Sequence, residues 1–158
     1  MSFARAVEAT PDVRHALRPG LAALATADRN RVRYGASRDL RGSIDIDSTT
    51  AARYPSDPRW DYVVGWKPQG ASGDVVSWIE VHPATPHGAT EVLSKLRWLR
   101  GWLRVASPAL ERLPREFVWI ASGKVSPNLT NSLGPKLAQQ GITFAGRVHR
   151  LQNSPTRP

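Results

Sequence analysis

A continuous apolar strand followed by a long amphipathic helix constrains the fold more than any other part of this sequence. Residues 75–82 are apolar on both faces until the strand nears its end, which is typical of a central strand, and Pro83 is expected to stop it. The helix predicted over residues 89–105 carries one apolar stripe, formed by Val92, Leu96, Leu99 and Leu103. A second apolar strand is predicted over residues 116–122. This strand–helix–strand order predicts two parallel strands with the helix packed across them.

The hydrophobic period changes from helical to strand-like at residue 43. Residues 43–47 alternate apolar and polar side chains, and residues 60–66 form a second strand pattern. Proline- and glycine-containing segments at 48–59 and 68–74 predict loops between these strands and strand 75–82. The pattern predicts an α/β fold with a mixed central sheet, in which a three-strand meander is joined to a strand–helix–strand crossover and flanked by helices.

The chain length of 158 residues indicates one domain. We expect residues 1–42 to form a basic helical segment packed on the core, with helix starts at Thr10-Pro11-Asp12 and near Leu21. Residues 43–151 form the predicted α/β core. They include a weak helix at 129–140 and a last strand at 142–151. The polar, proline-containing residues 152–158 are expected to be a disordered tail.

Several function classes lose support from what the sequence lacks. Without cysteine the chain can form no disulfide, zinc–thiolate site or cysteine nucleophile. No apolar run is long enough to span a membrane, and the first eight residues lack the apolar region of a signal peptide. We therefore expect a cytoplasmic protein with no membrane partner. No phosphate-binding loop, dinucleotide fingerprint or serine-hydrolase elbow is present.

The charge predicts a polyanionic partner. Lysine and arginine exceed aspartate and glutamate by nine, and eighteen of the twenty-two basic residues are arginine. Arginine binds phosphate in a bidentate manner and stacks on bases, so we expect nucleic acid, with DNA favoured over RNA. An arginine- and alanine-rich composition with a solvated basic surface is the alternative. The candidate contact residues are Arg31, Arg33, Arg59, Arg97, Arg100 and Arg104.

Carboxylates from separate strands are expected to converge at one edge of the sheet. Asp61 lies at the start of the second strand and Glu80 near the end of the third, so an antiparallel pairing brings them together. Asp45 or Asp47, at the end of the first strand, would lie at the same edge. Converging carboxylates suit Mg²⁺ or Mn²⁺, which can activate water and polarise a phosphodiester. The alternative is that these side chains cap loops or pair with arginine.

The element order, Asp61 and the tripeptide Glu80-Val81-His82 resemble the PD-(D/E)xK nuclease superfamily, which has the restriction-endonuclease-like fold. The resemblance covers about residues 43–122 and implies a core of helix, three meandering strands, helix and strand. It also implies that Asp61 and Glu80 hold a divalent cation while a lysine positions or activates the attacking water. Here His82 stands at the expected lysine position. Members of the superfamily can carry that lysine on the following helix, where this chain has Lys95.

Lys95 and His82 are thus the two candidates for the residue that positions or activates the attacking water. On the helical wheel Lys95 leans toward the sheet-facing side, so we expect its ammonium within about 6 Å of the Glu80 or Asp61 carboxylate. The alternative is that Lys95 extends past Trp98 to solvent. His82 shares the strand face of Glu80, where it could ligate metal, act as a base or simply cap the strand.

The predicted function is a metal-dependent endonuclease. The alternative is a catalytically inactive, nuclease-like module that binds nucleic acid or protein within a larger assembly. Dimerisation is left open. Four segments also look like parts of an uncharacterised bacterial family, which supplies no activity: Gly-Ser-Ile-Asp-Ile-Asp, Arg-Trp-Asp-Tyr, Ile-Glu-Val-His-Pro-Ala and Lys-Leu-Arg-Trp-Leu.

Overall fold

The computed structural model describes residues 1–152, which contain both helices and strands. The α-helices are α1 (Phe3–Glu8), α2 (Thr26–Arg29), α3 (Ile46–Thr50), α4 (Pro86–Ala106), α5 (Pro108–Glu111) and α6 (Leu129–Gln139). The strands are β1 (Val32–Arg33), β2 (Leu40–Asp45), β3 (Tyr62–Trp66), β4 (Val75–Ala84), β5 (Arg115–Val125), β6 (Ile142–Phe144) and β7 (His149–Arg150). A short 3₁₀ helix spans Ser37–Asp39.

Five strands form one mixed sheet in the order β2–β3–β4–β5–β6. The first three are antiparallel neighbours and form the expected meander. β4, β5 and β6 are parallel, with α4 connecting β4 to β5 and α6 connecting β5 to β6. The prediction of a single-domain α/β fold with a mixed sheet flanked by helices is confirmed.

Alternate residues of the central strands enter two hydrophobic layers, one on each face of the sheet. Val63 and Trp78 pack in the layer that contains the apolar stripe of α4. Their neighbours Val64 and Ile79 pack in the second layer, with Val32. The predicted α4 stripe is buried, with all four side chains at most 1% exposed. Helix α4 is therefore fixed across the sheet by the face that its sequence predicts.

The N-terminal segment differs from its prediction in where the helices lie. Helix α1 begins earlier, at Phe3, because the Ser2 hydroxyl accepts a hydrogen bond from the Arg5 amide and caps it. Thr10, expected to begin a helix, instead bonds back to the Ala6 carbonyl through its hydroxyl. The short helix expected near Leu21 is displaced to α2.

Helix α1 lies directly against the middle of the meander. The Phe3 ring occupies the space over Gly65 in β3, where an added Cβ would meet a ring carbon at 2.1 Å. The Phe3 amide donates a hydrogen bond to Asp74 Oδ2 at 2.9 Å, so both the ring and the backbone of this residue are held. Only glycine at position 65 allows this approach.

Several element ends differ from the predictions. The first strand was expected to continue to residue 47, but β2 ends at Asp45, whose carboxylate caps α3. Strand β4 continues through Pro83 with a shift of register, because proline cannot donate the ladder hydrogen bond. The predicted strand 142–151 divides into β6 and β7, and β7 pairs with β1 in a separate two-stranded sheet.

Of the expected disordered tail, Gln152 has no regular structure, and residues 153–158 lie outside the described residues. Within residues 1–152, no helix combines the length and the apolar character needed to cross a membrane.

Candidate functional site

Asp61 and Glu80 are clamped together where β3 begins and β4 nears its end. The antiparallel register pairs Tyr62 with Ile79, so the residues just outside this pair face each other. The Asp61 amide donates a hydrogen bond to Glu80 Oε1 at 3.0 Å. The Val81 amide donates one to Asp61 Oδ2, also at 3.0 Å. The predicted convergence of these two carboxylates at one edge of the meander is confirmed by this geometry.

Lys95 reaches both carboxylates from α4. Its ammonium nitrogen lies 3.3 Å from Asp61 Oδ1 and hydrogen-bonds Glu80 Oε2. The expectation of a separation below about 6 Å is met, and Lys95 does not extend to solvent. Glu80 is 0% exposed, while the side chains of Lys95 and Asp61 are 18% and 20% exposed. The ammonium therefore joins a fully buried carboxylate to one that reaches the surface.

Burial and the neighbouring charges shift the pKa values of Asp61 and Lys95. Burial, and next the negative charge of Glu80, raise the pKa of Asp61 from 3.8 to about 7, although Lys95 opposes the shift. Burial acts against the charged form of Lys95. The charges of Glu80 and Asp61, with their hydrogen bonds, outweigh it and raise the Lys95 pKa above its ordinary value. The cluster thus keeps its lysine protonated and holds Asp61 near its titration point at neutral pH.

His82 joins the cluster through the same Glu80 oxygen that Lys95 contacts. Its Nδ1 lies 3.4 Å from Glu80 Oε2, and its Nε2 lies 2.6 Å from Glu91 Oε2. The hydrogen bond to Glu80 raises the pKa of His82, and the charge of Glu80 and the hydrogen bond to Glu91 add to this against the effect of burial. His82 is therefore a second partner of the buried Glu80 carboxylate, which favours the protonated form of the imidazole, in addition to any role at the strand end.

Glu91 and His87 belong to the same network and were not predicted from sequence. His87 Nε2 lies 2.7 Å from Glu91 Oε1, so two histidines engage the two oxygens of one carboxylate. His87, Glu91 and Lys95 recur every four residues on α4, which places them on one helix face. This four-residue spacing is the feature of the sequence from which the network could have been predicted.

Asp45 and Asp47 do not join the cluster, so their predicted role as metal ligands is not supported. Asp45 accepts hydrogen bonds from the amide and hydroxyl of Ser48, and Asp47 pairs with Arg59 at 2.8 Å. The chain turns into α3 directly after β2. Because of this turn, Asp45 caps the helix and Asp47 pairs with Arg59, so neither carboxylate reaches the cluster. Across residues 1–152, no set of three or more acidic or histidine side chains is arranged to hold a metal ion.

Two of the six arginines predicted to contact nucleic acid have structural partners instead. Arg31 donates to the carbonyls of Ala121 and Ser122 at 3.1 and 2.9 Å, and ties the N-terminal segment to β5. Arg59 pairs with Asp47 and donates to the Tyr54 carbonyl. Both guanidinium groups thus bind other parts of the protein. Arg33 lies exposed on β1.

The remaining three predicted arginines line one groove. Arg97, Arg100 and Arg104 on α4, with Lys136 on α6, border a groove of about 530 Å³. Its lining includes none of Asp61, Glu80 or Lys95. The groove and the carboxylate cluster are therefore lined by different residues of α4.

Comparison with known proteins identifies no relative of this chain, since no family model, curated protein or solved structure matches it.

Proposed function

We propose that this protein is a divalent-metal-dependent nuclease of the PD-(D/E)xK type, in which Lys95 takes the place of the tripeptide lysine. The observation that carries the proposal is the position of the Lys95 ammonium, which contacts the carboxylates of both Asp61 and Glu80. Asp61 lies directly before β3, Glu80 lies in β4 and Lys95 lies in α4, so the three residues are held by successive elements of the fold. Their meeting therefore depends on the same order of elements that produces the resemblance.

The donor set fits a divalent cation. Asp61 and Glu80 supply oxygen ligands of the kind that Mg²⁺ and Mn²⁺ prefer. Two carboxylates and one ammonium leave the trio with a net negative charge when both acids are ionised. Burial first, and then the negative charge of Glu80, raise the pKa of Asp61, and a bound cation would offset the repulsion between the two carboxylates.

Asp61 and Glu80 are the residues that would hold the ion, and a bound ion would supply polarisation of the phosphodiester and a more acidic water. The Val81 amide orients Asp61 through its hydrogen bond to Oδ2. His82, held by Glu91, fixes the orientation of Glu80. Lys95 remains protonated, so it can donate a hydrogen bond to the attacking water and stabilise negative charge that develops on a phosphoryl oxygen.

The second candidate function is a catalytically inactive, nuclease-like binding module. It is favoured by the histidine at the third position of the tripeptide, where His82 pairs with Glu80 and Glu91. In this function the Lys95 ion pairs only stabilise the fold.

A plasmid-nicking assay with Mg²⁺, Mn²⁺ or EDTA separates the two. We expect metal-dependent nicking by the wild-type protein and a loss of at least about 100-fold in Asp61→Asn and Lys95→Met. Asp47→Asn is the matched control, because it removes a nearby carboxylate that pairs with Arg59 rather than Lys95. Calorimetric titration with Mn²⁺ should give binding to the wild-type protein and weaker binding to Asp61→Asn. Absence of nicking with either metal, or equal nicking by wild type and Asp61→Asn, would overturn the nuclease assignment.

A further inference from the structure

We infer that the groove between α4 and α6 binds the phosphate backbone of a single nucleic-acid strand, at a site separate from the Asp61–Glu80–Lys95 cluster. This inference rests on the proposed function for the class of ligand. It adds where that ligand is held and which residues hold it.

The groove concentrates positive charge that the protein itself does not neutralise. Arg97, Arg100, Arg104 and Lys136 border it, and its lining contains no acidic residue. No carboxylate in residues 1–152 forms an ion pair with any of these four cations. Elsewhere in the molecule Arg41, by contrast, pairs with Asp74. An uncompensated set of cations in one groove favours an anionic ligand.

Arg100 is held in place before any ligand arrives. Its guanidinium carbon lies 5.3 Å from the centre of the Phe117 ring, and the group also hydrogen-bonds the Gln140 carbonyl. Burial, and next the positive charge of Arg115, lower the pKa of Arg100, so the site carries repulsion between like charges. A phosphate group bound to Arg100 in the groove would offset that repulsion.

The other lining groups suit a phosphate backbone. Thr90, Ser94 and Gln140 also line the groove, and their side chains carry hydroxyl and amide groups. Hydroxyl, amide and guanidinium groups are the side chains that contact phosphate oxygens in nucleic-acid complexes. Arg97 and Arg104 are separated by about 10 Å along the helix axis, so the two guanidinium groups can contact successive phosphates of one strand.

The groove and the carboxylate cluster lie on opposite flanks of α4. Lys95 and Arg97 are two residues apart, so at about 100° per residue they point to nearly opposite sides of the helix. The flanks approach each other toward the N-terminal end of α4, where Thr90 lines the groove and the adjacent Glu91 belongs to the cluster network. A strand held by the arginines would therefore reach the cluster around this end of the helix.

The test is fluorescence anisotropy with a short labelled single-stranded DNA in EDTA, so that binding is measured without cleavage. The variant Arg97→Gln/Arg104→Gln removes two groove cations. Arg5→Gln/Arg14→Gln is the matched control, since both residues are exposed, carry the same charge and lie outside the groove. A single-stranded RNA of the same sequence tests whether the sugar matters. A duplex DNA of that sequence tests the preference for a single strand, and tighter binding of the duplex would overturn that preference.

We expect wild-type affinity to fall about 20- to 50-fold between about 50 and 200 mM salt, as predicted for three to four phosphate contacts. The groove variant should bind at least about 10-fold more weakly at the lower salt concentration and depend less on salt, whereas the control should bind like the wild type. Equal weakening in both variants would overturn the groove site, and so would wild-type protein that binds neither single-stranded probe.

The nicking assay keeps the two proposals apart. If binding localises to the groove but no variant or metal gives nicking, the groove site stands and the nuclease proposal fails. If the wild-type protein nicks DNA with metal and the groove variant nicks equally well and binds equally well, the nuclease proposal stands and the groove site fails.

Discussion

The two flanks of α4 carry opposite charge arrangements on one helix. On one flank Lys95, Glu91 and His87 meet acidic or histidine side chains, so each charge has a partner. On the other flank Arg97 and Arg104 lie beside further cations with no carboxylate in the groove lining. The paired flank includes the buried Glu80 at the sheet, whereas the unpaired flank faces an open groove.

This difference arises from the elements that each flank meets. Strands β3 and β4 bring Asp61 and Glu80 to the Lys95 flank. Helix α6 and strand β5 bring Lys136 and Arg115 to the other. Burial makes the first set interdependent, because a buried charge is tolerated only while its partners remain. The exposed arginines contribute little to stability, so they are available for a ligand.

Removing one charge from each flank should give the largest contrast. Lys95→Met leaves the Glu80 and Asp61 carboxylates facing each other without their shared cation. We expect it to lower the free energy of unfolding by about 3 kcal/mol at neutral pH. Arg104→Met, the matched change on the other flank, should alter it by less than about 0.5 kcal/mol. Urea denaturation measures the free energy of unfolding of both variants. Equal losses would contradict the view that only the paired flank depends on its charges.

The double variant Glu80→Gln/Lys95→Met sharpens this result. It removes the buried charge together with its partner, so it should recover part of the stability that Lys95→Met loses. No recovery would mean that Lys95 stabilises the fold through the packing of its aliphatic chain rather than through charge.

The second contrast is in pH dependence. Because the pKa of Asp61 is raised to about 7, the folded state binds this proton more tightly than the unfolded state does. The stability from Asp61 is therefore fully present below its ordinary pKa of 3.8 and is lost as the pH rises through about 7. The raised pKa of His82 acts in the same direction, and its stability is lost above 6.5.

We expect the free energy of unfolding of the wild type, relative to Asp61→Asn, to fall by about 2 kcal/mol between about pH 5 and pH 8. Urea denaturation across this range measures it. Asp47→Asn should follow the wild-type profile, and a profile of Asp61→Asn parallel to that of the wild type would contradict the raised pKa.

The smallest effect should come from giving the open flank a partner. Gln140 Oε1 lies 3.5 Å from an Arg100 nitrogen, so Gln140→Glu places a carboxylate beside an unpaired cation without a change of shape. We expect a gain in stability of about 0.5 kcal/mol or less, together with weaker binding of single-stranded DNA. Thermal denaturation and anisotropy measure the two. Tighter binding in this variant would contradict a phosphate-binding groove.

The convergence of Asp61, Glu80 and Lys95 could be predicted because each step depends on a local pattern. Strand period and hairpin order place the two carboxylates at one edge, and the helical wheel turns Lys95 toward the sheet. Asp45 and Asp47 could not be placed in this way. Their partners depend on the turn into α3, and the alternation of residues 43–47 gives no sign of a helix beginning at Ile46.

The arginines show the same limit. Periodicity correctly separates Arg97 and Arg104 from Lys95 on the helix, but it cannot show that α6 closes the groove beside them. Arg31 lies in an irregular segment whose partners are the carbonyls of Ala121 and Ser122, about ninety positions away. Contacts between distant segments leave no periodic signal in the sequence.

The contact between Phe3 and Gly65 imposes an order on events during synthesis. Phe3 leaves the ribosome more than sixty residues before Gly65 and Asp74, the groups that cover its ring and bind its amide. At translation rates of about 5–20 residues per second, the Phe3 ring waits about 3 to 12 seconds for Gly65 to emerge. During this interval the nascent segment is a hydrophobic target for chaperones, and docking of α1 must follow the emergence of the meander from the ribosome.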